Sequence, residues 1–162
     1  MPAGVFRSLS ASEYQKLIDA IPLIAILIAG ADGHIDFKEK EWAEKLSKIR
    51  SYAHEFDLKA IYQEVDKNFK PNFESWISKL PTNANKRCKE ISLELASLNA
   101  IFAKLNMRTA SQLYNSYLSY SEQVAKASGG FLRLMAVNVE ENIYIGLPML
   151  DPIFFEEIDD DE

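Results

Sequence analysis

Ala20-Ile21-Pro22-Leu23-Ile24-Ala25-Ile26-Leu27-Ile28-Ala29-Gly30-Ala31 is the longest apolar run in this 162-residue chain. It passes directly into an acidic turn, Asp32-Gly33-His34-Ile35-Asp36-Phe37-Lys38-Glu39. At twelve residues, interrupted by Pro22 and Gly30, the run falls well short of the ~20 needed to span a bilayer and reads as a buried core helix with no transmembrane segment. Asp36-Phe37-Lys38-Glu39 then forms a capping box, whose end residues satisfy backbone N–H groups that the first helical turn leaves open. Trp42, Ala43, Leu46, Ile49 and Ala53 follow at helical spacing. The stretch is therefore a helix, a turn and a second amphipathic helix.

The same signals recur outward from this unit. Ser10-Ala11-Ser12-Glu13 is a capping box that starts the first helix, and Pro22 predicts a break or kink near Asp19. Asp57 caps a helix carrying Leu58, Ile61, Tyr62, Val65 and Phe69, which Pro71 ends. A shorter one holds Phe73, Trp76, Ile77 and Leu80 and stops at Pro81. From Asn83 a single long helix presents Cys88, Ile91, Leu95, Leu98, Phe102 and Leu105 as one buried stripe. Thr109-Ala110-Ser111-Gln112 caps the next, broken by Ser128-Gly129-Gly130, and Asn138-Val139-Glu140-Glu141 opens the last, with Ile143, Leu147 and Leu150. Phe131 to Val139 is apolar enough to be locally extended, but no period-two strand stands out. The reading is all-α: a compact bundle of about seven helices spanning residues 1–150, followed by an acidic tail at 151–162.

The halves of the chain also resemble each other. Ile28-Ala29-Gly30-Ala31-Asp32-Gly33 aligns with Val124-Ala125-Lys126-Ala127-Ser128-Gly129, and each is followed by a cap, Asp36-x-x-Glu39 or Asn138-x-x-Glu141. This predicts a pseudo-twofold repeat with a longer second loop.

The run from Ile28 to Glu39 resembles the Ala-Asp-Gly-x-Ile-(Asp)-x-x-Glu signature of the TerB-like tellurite-resistance domains. The resemblance implies a compact helical bundle over residues 10–150. It also implies a non-enzymatic, acidic, cation-binding adaptor or sensor in tellurite and stress resistance, working near the membrane as a peripheral rather than integral component. Ser128 and the long second loop depart from the pattern.

Read by its own chemistry, the turn brings Asp32, Asp36 and Glu39 within eight residues around Gly33, a candidate set for a hard divalent cation, Ca²⁺ or Mg²⁺. With Gly33 at position 6 of an EF-hand-like loop, Asp36 and Glu39 fall at positions 9 and 12, while Ile28 and Gly30 occupy positions 1 and 3. The loop is half an ion site. Capping alone accounts for Asp36 and Glu39, so Asp32 is the residue that structure explains least.

Elsewhere the chemistry is sparse. His34, His54 and the single cysteine, Cys88, give no zinc-ligand spacing, and Cys88 falls on an apolar stripe. No nucleophile triad, phosphate loop or dinucleotide fingerprint is present, so the sequence reads as no enzyme; a rival hydrolase would draw its acid and base from Glu39, Glu41 and Glu140. Net charge is −6, yet the last twelve residues hold seven acids and no base, so the rest is almost neutral. That excludes the basic field of a nucleic-acid binder, and Lys86-Arg87-Cys88-Lys89 reads as a solvated face. A second rival is a plain protein-interaction module that meets its partner through Tyr114 and Tyr117, on a face shared with Tyr120, and through Phe154 and Phe155 in the acidic tail. The lone cysteine and the absence of a signal-peptide pattern point to the cytoplasm.

Overall fold

A computed structural model describes residues 4–29, 45, 56–135 and 144–154. Its elements are α1 (Ala11–Ala29), α2 (Phe56–Lys67), α3 (Phe69–Lys79), α4 (Ala84–Ala96), the single-turn α5 (Leu98–Phe102) and α6 (Met107–Met135), preceded by a 3₁₀ turn at Gly4–Phe6. Five of these helices have eleven residues or more, and there is no strand among the described residues. The all-α class stands. The helix between Asp36 and Ala53 lies outside the described residues apart from Lys45, which is helical.

α1 is the axis of the bundle and packs against α2, α3, α4, α5 and α6. Its start follows the capping box: Ser10 N–H donates to Glu13 Oε1 at 2.9 Å, and Glu13 N–H donates to Ser10 Oγ at 3.1 Å. Its second half is enclosed on every side, and Leu17, Ile21, Ile24, Ile26, Leu27 and Ile28 are fully buried. A helix apolar all round has to be central, because no face of it tolerates water.

Pro22 does not break this helix, which runs unbroken from Ala11 to Ala29. Proline in a helix interior costs about 3 kcal/mol, chiefly the lost N–H that would have served Ile18 O. Burying each of six large aliphatics contributes roughly 1.5–3 kcal/mol, so even the low end outweighs that cost severalfold. Nearby, the Tyr117 hydroxyl on α6 donates to Leu17 O at 2.8 Å, tying α6 to the proline-weakened turn.

Several other boundaries move. α2 ends at Lys67, and Phe69 begins α3, with Pro71 inside its first turn, where the missing N–H has no helical partner to lose. Leu80 is extended (φ −81°, ψ 152°), as a residue before proline prefers, so Pro81 does end α3. Asn83 caps α4 through Lys86 N–H at 3.0 Å. The predicted long helix is divided at Ser97, whose N–H is shared between Leu93 O and Glu94 O at 3.3 Å and whose hydroxyl donates to Glu94 O. The predicted stripe survives that division, and Cys88, Ile91, Leu95, Leu98, Phe102 and Leu105 are all buried. Asn106, rather than Thr109, caps α6, its side chain accepting from Thr109 N–H at 2.8 Å.

The largest departure is at Ser128-Gly129-Gly130, where the backbone stays helical to Met135. Two interior glycines cost ~1 kcal/mol each, and Leu132, Arg133, Leu134 and Met135 are good helix formers that carry the turn onward. The second copy of the predicted repeat is thus continuous helix at Ser128-Gly129, and its first-copy counterpart, Asp32-Gly33, lies outside the described residues.

The chain's last described segment, 144–154, lies on this bundle. A helix reaching Leu150 is not formed. Only Tyr144 and Ile145 are helical, and Leu147 takes a left-handed φ of 45°. Pro148 follows it, and a proline disfavours the right-handed helical region for the residue before it. Two turns replace the helix, with Leu147 N–H to Tyr144 O at 2.8 Å and Leu150 N–H to Leu147 O at 3.0 Å. They place Leu147 and Leu150 in the core.

Candidate functional site

Among the described residues, two surfaces combine polar chemistry with fixed geometry. The first is a groove where α1 crosses the corner between α2 and α3. Gln15 and Asp19 stand one helical turn apart on α1, and Asn72 comes from the first turns of α3. Asp19 Oδ1 accepts from Gln15 Nε2 at 2.9 Å and from Asn72 Nδ2 at 2.8 Å. A carboxylate only accepts, so both amides must turn their NH₂ groups to it, which leaves Gln15 Oε1 and Asn72 Oδ1 as acceptors. Beside them lies a groove of about 350 Å³ lined by Gln15, Ile18, Glu64, Val65, Asn68, Pro71 and Asn72. Ile18 and Val65 are buried and form its apolar floor. None of these lining side chains is basic.

The electrostatics agree with that composition. Burial first, and the Glu64 carboxylate second, hold the Tyr14 hydroxyl above its ordinary value of 10.0. Glu64 itself pairs with Lys67 at 3.0 Å, but both side chains are largely exposed, the regime in which an ion pair contributes little. Asn68 starts α3 without a capping bond from its side chain. Nothing in the sequence singles this group out: its partners lie more than 50 residues apart and bear ordinary polar side chains.

The second surface is the strap formed by residues 144–153. Asn99 on α5 holds it with both ends of one amide: Nδ2 donates to Met149 O at 3.0 Å, and Oδ1 accepts from Asp151 N–H at 2.9 Å. Ser121 Oγ on α6 donates to Ile145 O at 2.9 Å. Ile153 still packs against the core, whereas Phe154 is 85% exposed. The body of the fold therefore reaches Ile153.

No protein-family model, curated protein or solved structure matches this chain.

The residues singled out by sequence are distributed unevenly. Asp32, Asp36 and Glu39 lie outside the described residues, as do Phe155, His34, His54, Glu41 and Glu140. Among the described residues no three His, Cys, Asp or Glu side chains gather as a metal site. Tyr117 is not on a surface: it is fully buried, near Phe102, and burial pushes its hydroxyl well above the usual tyrosine value. Tyr120 is fully buried too, and Tyr114 is half-buried against the core. The three tyrosines are a core face of α6, because their spacing follows its inward stripe. Tyr62 joins them from α2, its hydroxyl 2.6 Å from Ser116 Oγ.

Of the basic cluster, Lys86 and Lys89 are exposed but Arg87 is buried, with Nη1 donating to Thr82 O at 3.2 Å, so the cluster is not one solvated face. Cys88 is buried as its stripe implies. No helix among the described residues is long and apolar enough to cross a membrane.

Proposed function

We propose that this chain is a non-enzymatic, TerB-like helical domain that serves as an adaptor, presenting an acidic, aromatic C-terminal segment to a protein partner. One observation carries the reading. The strap is clamped by Asn99 and Ser121 up to Ile153, and the next residue, Phe154, stands 85% exposed. A large aromatic ring held in water at the mouth of an acidic run is an anchor of the kind that fills a partner's pocket, with the acids supplying steering and specificity. Tyr117 drops out of this contact because it is a core residue, and Tyr114 is half-buried against the core, which leaves Phe154 and Phe155 as the aromatic anchors.

The test compares the full chain, Phe154→Ser and a chain ending at Ile153 in cross-linking capture from cells. The same protein should be lost from both altered forms while their melting curves match the parent. Its retention by the chain ending at Ile153 removes the tail from the function.

In the same proposal Asp32, Asp36 and Glu39 provide carboxylates for a divalent cation, Ca²⁺ or Mg²⁺, which makes the adaptor a sensor. The support is the sequence pattern alone. Calorimetry with Ca²⁺, Mg²⁺ and Mn²⁺ on the parent and on Asp32→Asn decides it: binding heat that disappears in the variant supports the cation, and no heat from the parent rejects it. Asp32 is the informative position, since Asp36→Ala would lose ~1 kcal/mol through the helix cap alone.

A further inference from the structure

The groove between α1 and the α2–α3 corner is not explained by the tail or the acidic turn. We propose that it binds a guanidinium group, and that the occupant is an arginine side chain of a partner polypeptide. This rests on the adaptor reading in one respect only, that the domain engages a protein.

The argument starts from what the groove offers. Asp19 engages the NH₂ groups of both Gln15 and Asn72, fixing which end of each amide remains for a ligand. The residues lining the groove therefore retain two amide oxygens and the Glu64 carboxylate as acceptors, while Asn68 can offer either end of its amide. A ligand that carries only acceptors, such as a phosphate or carboxylate, finds no basic side chain among the lining residues and faces the Glu64 carboxylate. A ligand rich in donors fits. Guanidinium suits the set better than ammonium because its five N–H groups lie in one plane and reach several acceptors at once.

The floor completes the match. Ile18, Val65 and Pro71 supply apolar surface for a methylene stem, and long cationic side chains bury their stems while keeping their heads polar. A volume of about 350 Å³ is at the small end of ligand sites, suited to one side chain rather than a cofactor. The polypeptide origin follows from the α-groups: free arginine carries an α-ammonium and an α-carboxylate that must stay hydrated, and the lining offers no basic side chain for the carboxylate, whereas an arginine within a peptide has neither charge. The Lys67 ammonium, 3.0 Å from Glu64 Oε1, is an exposed competitor that the ligand has to displace.

The test is an NMR titration of the ¹⁵N-labelled full chain with N-acetyl-arginine-N-methylamide, its citrulline counterpart and free L-arginine. The capped arginine should shift the side-chain NH₂ signals of Gln15, Asn68 and Asn72 and the backbone amide of Val65. The neutral citrulline compound should bind about fivefold more weakly, the value of one partly exposed charge contact. Glu64→Gln and Gln15→Ala should each weaken capped arginine by about threefold, and Lys67→Met should tighten it by about twofold. These three positions are on the surface, so the variants should fold, and ¹⁵N spectra confirm it.

Equal responses to arginine and citrulline, shifts confined to other parts of the bundle, or no shifts at all overturn the guanidinium site. Tighter binding of free L-arginine than of the capped compound overturns the polypeptide occupant. The chain ending at Ile153 should give the same titration as the full chain, so failure of the tail as a docking segment is separable from failure of the groove.

Discussion

Replacing Asn99 with alanine removes both bonds that fasten the strap, the donation to Met149 O and the acceptance from Asp151 N–H. Each net hydrogen bond contributes ~1 kcal/mol, so the pair is worth about 2 kcal/mol. The loss should be local. The strap gives the core only two buried leucines, Leu147 and Leu150, and holds Leu147 in a left-handed conformation that costs ~1–2 kcal/mol, so it opens on its own, ahead of the bundle.

Native-state hydrogen exchange reads that opening. The Leu147 and Leu150 amides are the reporters, because their acceptors, Tyr144 O and Leu147 O, are untouched by the substitution. A loss of 2 kcal/mol should lower their protection about thirtyfold, with amides in α1 and α6 unchanged. Unchanged protection at both amides, or a uniform fall across the whole bundle, would refute the clamp. Asn99→Asp sharpens the assay: the carboxylate still accepts from Asp151 N–H but faces Met149 O without a donor, so it should release the strap at neutral pH and recover in acid as it protonates.

Tyr117→Phe should lower global stability by about 1 kcal/mol, measured by denaturant melting, since it deletes the buried donor to Leu17 O. Tyr62→Phe should do the same through Ser116, and the double variant should be non-additive because Ser116, which meets the Tyr62 hydroxyl, is adjacent to Tyr117 on α6. Phe154→Ser should leave the melting curve within about 0.5 kcal/mol of the parent, as the ring is exposed. Glu13 gives a pH dependence. Its hydrogen bond from Lys104, and then that from Ser10, hold its carboxyl below the ordinary value of 4.5. Its folded value is depressed, so its contribution is present above 4.5 and is lost as the pH falls through the folded value. Glu13→Gln should flatten the acid limb of the stability profile in that window.

What was legible in the sequence was whatever depends on local pattern. The Ser10–Glu13 capping box, the helix start at Asn83, the stop at Pro81, the buried Ala20 to Ala31 helix as far as Ile28, and the Cys88 to Leu105 stripe all rest on spacing within one or two turns. Where the outcome depended on competing energies, the pattern gave the losing side. Pro22 signals a break that burial on all sides overrides, and Gly129-Gly130 signals an end that the helix formers after them carry past. Tyr114, Tyr117 and Tyr120 look like a display surface until the core packs against them, since a repeat of three marks a helix face without saying what that face meets.

The all-α class, the central apolar helix and the boundaries at Ser10, Asn83 and Pro81 were determined by the sequence, because each follows from residues within hydrogen-bonding or packing reach along the chain. The groove and the strap were decided by tertiary structure. Asp19 gains its hold on Asn72 across 53 residues, and Asn99 reaches Asp151 across 52. Neither amide nor carboxylate carries any mark of its partner until the helices pack. Their specificity comes from geometry between distant segments, and that is the information a local pattern lacks.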